Sequence, residues 1–361
     1  MATGTKEERK GYSMTLHIPL GEGTSSFNLE NAVCNHGFFM MAPNVWIPST
    51  KTLQRPLRLA DPYTSILTSI SHPDNENAIH VRLHDTEYIS PNDQQVILAQ
   101  VARMLRISDR DERDVKQFHQ IQPEAKNKCF GRIFRSPSIF EDMVKSILLC
   151  NAPWRRTLDM AQALCELQFE LKGHKRKRVT NPRSKAKNSV DEVQSIGNFP
   201  NSMELNILDE ETLKKRCNLG YRAKIILELA TSIENGEVKL QNFEKALDAV
   251  SMEKIYDMLN KKKGFGPFAC ANILMCIGYY QRIPTDSETF RHVKEIHGRR
   301  KKVTEKDVKE IYDKYAPFQC LAYWLELSEY YQSRFGKLSE LPRSEYHTIT
   351  GSYKLRTSIP K

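Results

Sequence analysis

Residues 252–293 hold the part of this sequence best equipped for chemistry. A helical stretch leads into the turn Gly264-Phe265-Gly266, Pro267 opens a second helix, and an apolar run ends at Pro284-Thr285-Asp286. Glycines in such a turn tolerate positive φ and let the backbone approach an anion closely. The first amides of the following helix point at the same anion, with the helix dipole behind them. A phosphate of a DNA backbone suits that arrangement, with Lys263, Gly264, Phe265, Gly266 and Phe268 as the contacting stretch. Taken alone, the glycines are also what any tight turn between two helices needs. Asp286 has a double reading too. A carboxylate there can stabilise positive charge and orient a nucleophile, yet an Asp opening a helix is ordinarily its N-cap.

The elements that must position these residues divide the chain. Short β-like runs at 13–18, 37–41, 45–47, 63–67 and 78–83, separated by turn residues, predict an antiparallel sheet over 12–90 with at least one helix. Ser90-Pro91 starts a helical region. Helices are predicted over 94–105, 112–120 and 140–148, and apolar faces recur at Ile226/Leu229/Ala230/Ile233, Ile255/Met258/Leu259 and Leu321/Trp324/Leu325. The fold class is therefore α+β, an N-terminal antiparallel sheet domain followed by an all-α domain at 91–335. Residues 1–11 are expected to be disordered and 336–361 a flexible tail.

Composition narrows the function classes. At 361 residues, 40% hydrophobic and 27% charged, the chain is ordinary globular material for two or three domains of ~150 residues. No apolar run reaches the ~20 residues of a membrane span, and residues 1–10 lack the character of a signal or transit peptide. An intracellular protein is expected. Eight cysteines with no CxxC read as reduced core thiols, with no zinc or iron–sulfur site. The formal charge of +10 suggests an anionic partner. However, eight basic and no acidic residues fall within 172–187, so the rest of the chain is nearly balanced. Residues 172–198 have little to bury and are expected to be a disordered insertion. The clusters within 174–187 fit a nuclear-import signal as well as a solvated loop.

The order of hairpin, apolar helix and Pro-x-Asp resembles the helix–hairpin–helix (HhH-GPD) superfamily of DNA glycosylases, whose hairpin is followed by a catalytic aspartate. Residues 137–151 look like that family's first core helix, ending in an Asn inserted where an extruded base was. Phe199-Pro200-Asn201 and the stretch 219–226, with Gly220-Tyr221-Arg222-Ala223, are similar to the 8-oxoguanine glycosylase branch, as are residues 27–41 of the sheet region, which gives the sheet domain a TBP-like expectation. The resemblance implies Asp286 as the catalytic carboxylate. Asn151, Arg156, Tyr221 and Arg222 become the wedge and partner-base clamp, and Gly37, Phe268, Asn272, Tyr323 and Leu327 the base pocket. Double-stranded DNA is the implied partner of a chain acting as a monomer, and a flipped base the implied substrate. A monovalent cation at the hairpin carbonyls is the only ion implied.

Two departures bear on the chemistry. Where strand-cleaving relatives carry a Schiff-base lysine, this sequence has Phe268, which favours hydrolysis without lyase activity. Where the 8-oxoguanine enzymes read the base with a glutamine, it has Tyr323, and Leu327 and Asn272 replace a phenylalanine and a cysteine. An aromatic pocket for an electron-poor or alkylated base follows from Phe268, Tyr323 and Trp324, although aromatics at helical spacing are more often core. The expected function is hydrolytic base excision. A binding protein that lost catalysis and a lyase using a displaced lysine are the alternatives.

Overall fold

The computed structural model describes residues 12–173, 197–245, 248–299 and 302–351. Five strands, β1 (Ser13–Pro19), β2 (Val45–Ile47), β3 (Thr52–Arg58), β4 (Ser65–Ser71) and β5 (Ala78–His84), form one antiparallel sheet in the order β1-β5-β4-β3-β2. Alternation sets its register. Leu16 and Ile18 of β1 pair with Val81 and Ile79 of β5, and these four side chains are buried. Helix α1 (Pro91–Leu105) packs on the sheet against β1 and β3 through buried Ile97, Val101, Met104 and Leu105.

The helical region follows: α2 (Asp109–Ile121), α3 (Ile139–Leu149), α4 (Trp154–Leu171), α5 (Glu210–Cys217), α6 (Arg222–Glu234), α7 (Ala249–Asn260), α8 (Pro267–Cys276), α9 (Ser287–Ile296), α10 (Glu305–Tyr312) and α11 (Gln319–Phe335). Helix α8 packs against α3 and α7 and is buried continuously from Ala269 to Cys276, as expected of a helix apolar on every side. Its last carbonyls are taken by two buried arginines: Arg106 donates to Met275 O at 2.7 Å, and Arg135 to Cys276 O at 2.6 Å. One buried charge cluster ties sheet to helices. Arg55 of β3 meets Glu141 of α3 at 2.9 Å, and Lys145 reaches the same carboxylate at 2.8 Å. Burial alone would raise the Glu141 pKa, but the two cations hold it at about 2. Removing one partner of so buried a group costs about 3–5 kcal/mol.

Three expectations change. Residues 37–41 are not a strand: Gly37–Met40 is a 3-10 turn with Phe38, Phe39 and Met40 all buried. Its backbone closes i→i+3 bonds, Phe39 N to His36 O and Met41 N to Phe38 O, instead of pairing with a strand. The insertion ends earlier than 198, since Asn198 is buried and accepts from Phe199 N and, through its side-chain amide, donates to Ser65 Oγ at 3.1 Å. The tail expected from 336 is packed as far as 351. Leu338, Tyr346 and Ile349 are buried, and the indole N–H groups of Trp46 and Trp154 donate to Ser339 O and Tyr346 O, each at 2.8 Å. The clusters at 174–187 and the N-terminal residues 1–11 lie outside the described residues.

Candidate active site

Asp286 is the N-cap of α9, as its local sequence allows. Its Oδ1 accepts from Thr289 N at 2.9 Å and Thr289 Oγ1 at 3.1 Å. Thr289 Oγ1 in turn shares a hydrogen bond with the Tyr323 hydroxyl of α11, at 3.0 Å. Among the described residues Oδ2 has no protein partner. Burial raises the Asp286 pKa, with the Thr289 bonds pulling in the opposite direction. The cap therefore does not exclude chemistry: it fixes one oxygen and leaves the other toward a cavity.

That cavity, about 320 Å³, is lined by Asp286 together with Gly37, Phe268, Asn272, Tyr323 and Leu327. All five expected pocket residues meet there, drawn from the 3-10 turn, α8 and α11. Gly37 sits tight against a neighbour: a Cβ would lie 3.1 Å from the Trp154 ring, which would have to give by a few tenths of an ångström. Tyr323 is buried, and burial and the nearby Asp286 charge both push its pKa far up, so the phenol stays neutral. His36 lies edge-on to Trp324, ring centroids 4.6 Å apart. Burial first, then Arg106 and Lys145, push its pKa down to about 3, so it too is uncharged. Among the described residues no lysine lines this cavity.

The four residues expected as wedge and clamp also lie near one another. Asn151, exposed and at φ +51°, lies in the loop after α3, and its amide donates to the Tyr221 hydroxyl at 3.4 Å. Tyr221 is 52% exposed. Arg156 donates to Asn218 O at 3.2 Å, beside Gly220. Arg222, expected to touch a partner base, is instead buried. It donates to Cys150 O and stacks 4.7 Å from the Tyr221 ring centroid. Its hydrogen bond ties it to the loop that carries Asn151.

At the hairpin the two glycines differ. Gly264 has φ +92°, and a Cβ on it would fall 2.5 Å from the Ile225 side chain. Gly266, the N-cap of α8, has φ −75° and open space where a Cβ would be. Lys263 and Gly266 are exposed, whereas Phe265 is buried and anchors the turn. Sequence reasoning missed Thr289, His36, Trp154 and the wall formed by Leu338, Ile349 and Thr350. Thr289 was within reach, three residues past an Asp N-cap. The others depend on contacts between distant elements.

No protein-family model matches the sequence, and no curated protein does. Solved structures do resemble the fold. The 3-methyladenine DNA-glycosylase from Archaeoglobus fulgidus superposes with a TM-score of 0.61 at 19% identity, over 89% of this chain and 99% of that one. MBOgg1, solved in complex with a low-affinity DNA ligand, gives 0.58 at 18% identity, over 88% and 97%. The 8-oxoguanine glycosylase/lyase of Clostridium acetobutylicum in its apo form gives 0.56 at 15%, over 88% and 96%. At such identities the likeness is one of architecture: a five-stranded antiparallel sheet followed by a mostly helical region, the fold of the helix–hairpin–helix DNA glycosylases.

Proposed function

We propose that this chain is a DNA glycosylase that flips a modified base out of a duplex and removes it by hydrolysis. The observation that carries the reading is a carboxylate, Asp286, with one oxygen fixed by Thr289 and the other free, lining a cavity walled by Phe268, Trp154, Tyr323 and Trp324. The exposed start of α8 holds a phosphate by its amides. Tyr221 and Asn151 enter the stack as the base leaves it, at a cost of a few kcal/mol. With the base in the cavity, the N-glycosidic bond breaks, its electron pair staying on the base nitrogen. The Asp286 carboxylate stabilises the positive charge left on the sugar. A water oxygen then bonds to the sugar carbon and its proton passes to Asp286 or to solvent. The product is an intact abasic strand.

Asp286→Asn is the test. Asn still accepts from Thr289 N and caps α9, so duplex binding is expected to persist while excision falls by several orders of magnitude. Full activity in this variant would move the catalytic group elsewhere. Phe268, and a cavity wall without lysine among the described residues, support hydrolysis over lyase chemistry. Borohydride should therefore trap no adduct, and a covalent protein–DNA product would sink this part of the reading. The proposal includes a monomer acting without a metal or iron–sulfur cofactor. A monovalent cation at the hairpin would use backbone carbonyls such as Lys262 O and Gly266 O, each of which accepts one N–H, from Phe265 and Cys270, and keeps a second lone pair. No step depends on it. Nuclear location, through residues 174–187, belongs to the same proposal.

A further inference from the structure

The hydroxyl of Tyr323 is a buried polar group in aromatic surroundings. Its ring stands edge-on to His292, Tyr312 and Trp324, with centroids 5.9, 5.8 and 5.7 Å away, where a phenylalanine would pack as well and bury no polar atom. Among the described residues its one hydrogen-bond partner is Thr289 Oγ1 of α9, at 3.0 Å. Both residues are buried, so each hydroxyl proton has to be placed. The phenol keeps its own proton, and Thr289 Oγ1 is the acceptor within its reach. The two lone pairs of Thr289 Oγ1 are then taken by that hydroxyl and by Asp286 N–H, at 3.3 Å. Its single proton is left for Pro284 O at 3.2 Å or Asp286 Oδ1 at 3.1 Å. The charged oxygen is the stronger acceptor.

We propose that Tyr323 is a positioning residue for Asp286, acting from α11 through Thr289. The donor chain runs from the Tyr323 hydroxyl to Thr289 Oγ1 and on to Asp286 Oδ1, and it holds that oxygen so that Oδ2 is the one left for the sugar. This rests on the glycosylase reading above and adds a residue of α11 to the machinery on α9. Donation toward Oδ1 favours the carboxylate that burial disfavours, and chained hydrogen bonds strengthen one another. The other titratable groups packed around the pair are engaged or uncharged. Glu288 accepts from Arg291 and Tyr331, and His292 Nε2 lies 2.8 Å from Glu326. Burial keeps the protons on Tyr312, Tyr331 and Cys320, and His36 of the 3-10 turn is uncharged.

The test uses the full chain and a duplex bearing one modified base that it excises. Tyr323→Phe keeps the ring and removes the hydroxyl. Its kcat should fall by on the order of 10-fold, the effect of about one hydrogen bond, with KM near wild type and the acid limb of the kcat–pH profile moved to higher pH. Thr289→Val, which breaks the chain at its middle, should show the same two changes at least as strongly, and Thr289→Ser should restore wild-type behaviour. Adding Tyr323→Phe to Thr289→Val should bring no further loss. An equal loss in both backgrounds would overturn the inference and put the hydroxyl on the substrate. So would a Tyr323→Phe protein that melts lower but keeps its kcat and pH profile. The Asp286 carboxyl carbon, titrated by NMR in the protein without DNA, reads the same coupling independently of excision. Its midpoint should rise in Tyr323→Phe and in Thr289→Val, and unchanged midpoints would overturn the inference. Shifted midpoints in a chain that excises no modified base would sink the glycosylase reading and leave the Asp286 network standing.

Discussion

Two demands meet on the Asp286 carboxyl, and they respond oppositely to pH. Burial disfavours its charged form and raises its pKa above 3.8. Excision that needs the carboxylate should thus decline on acidification at a higher pH than an exposed aspartate would give; a rate still flat well below pH 4 would argue against the role. Stability has the other sign. With the folded pKa raised, the contribution of Asp286 is full below the unfolded value and is lost as pH rises through the folded one. At pH 7 Asp286→Asn, which keeps the cap, is expected to melt above wild type, and a lower Tm would mean that the charge supports the fold. Asp286 was legible because Pro-x-Asp before a helix is a local signal. Trp154 against Gly37 was not, since nothing within a few residues of either records the other.

Among the elements, the hairpin separates architecture from contact. In Gly264→Ala the methyl meets Ile225 and the backbone is held at positive φ, so stability should drop by roughly 2 kcal/mol. In Gly266→Ala the methyl meets only open space, so Tm should stay close to wild type while binding weakens by a similar factor on every duplex, because phosphate contacts position without specifying sequence. Anisotropy titrations over several duplexes would check this, and weakening confined to one lesion would contradict it. Most elements were readable from periodicity: α3, expected over 140–148, spans Ile139–Leu149. The run 37–41 was misread because its apolar residues have no period, and only its surroundings decide between strand and turn. The burial of Arg222 was not legible for a related reason, since a motif gives residue order and not which carbonyl a guanidinium meets, here Cys150 O.

For the whole molecule, the 3-10 turn at Gly37–Met40 and the C-terminal segment line one cavity. Truncation after Gly336 removes buried Leu338, Tyr346 and Ile349. At about 1.5–3 kcal/mol for each large side chain, the loss should exceed roughly 4 kcal/mol and leave the cavity open. A truncated chain with wild-type Tm would mean the segment is not structural. Replacing residues 174–196 with a short Gly/Ser linker should leave Tm and excision intact and reduce nuclear accumulation on imaging; an unchanged distribution would refute the import assignment. The packing of 337–351 escaped sequence reasoning because its anchors are backbone carbonyls, which any sequence supplies. Those anchors have an optical consequence. The chain has three tryptophans: Trp46 holds Ser339, Trp154 holds Tyr346 and faces the cavity, and Trp324 lines it beside His36. Ultraviolet emission excited selectively from indole therefore comes from this corner alone. A base stacking in the cavity, or the C-terminal segment lifting away, would register as quenching or a red shift with no label attached, and the unmodified protein is its own stopped-flow reporter of base capture.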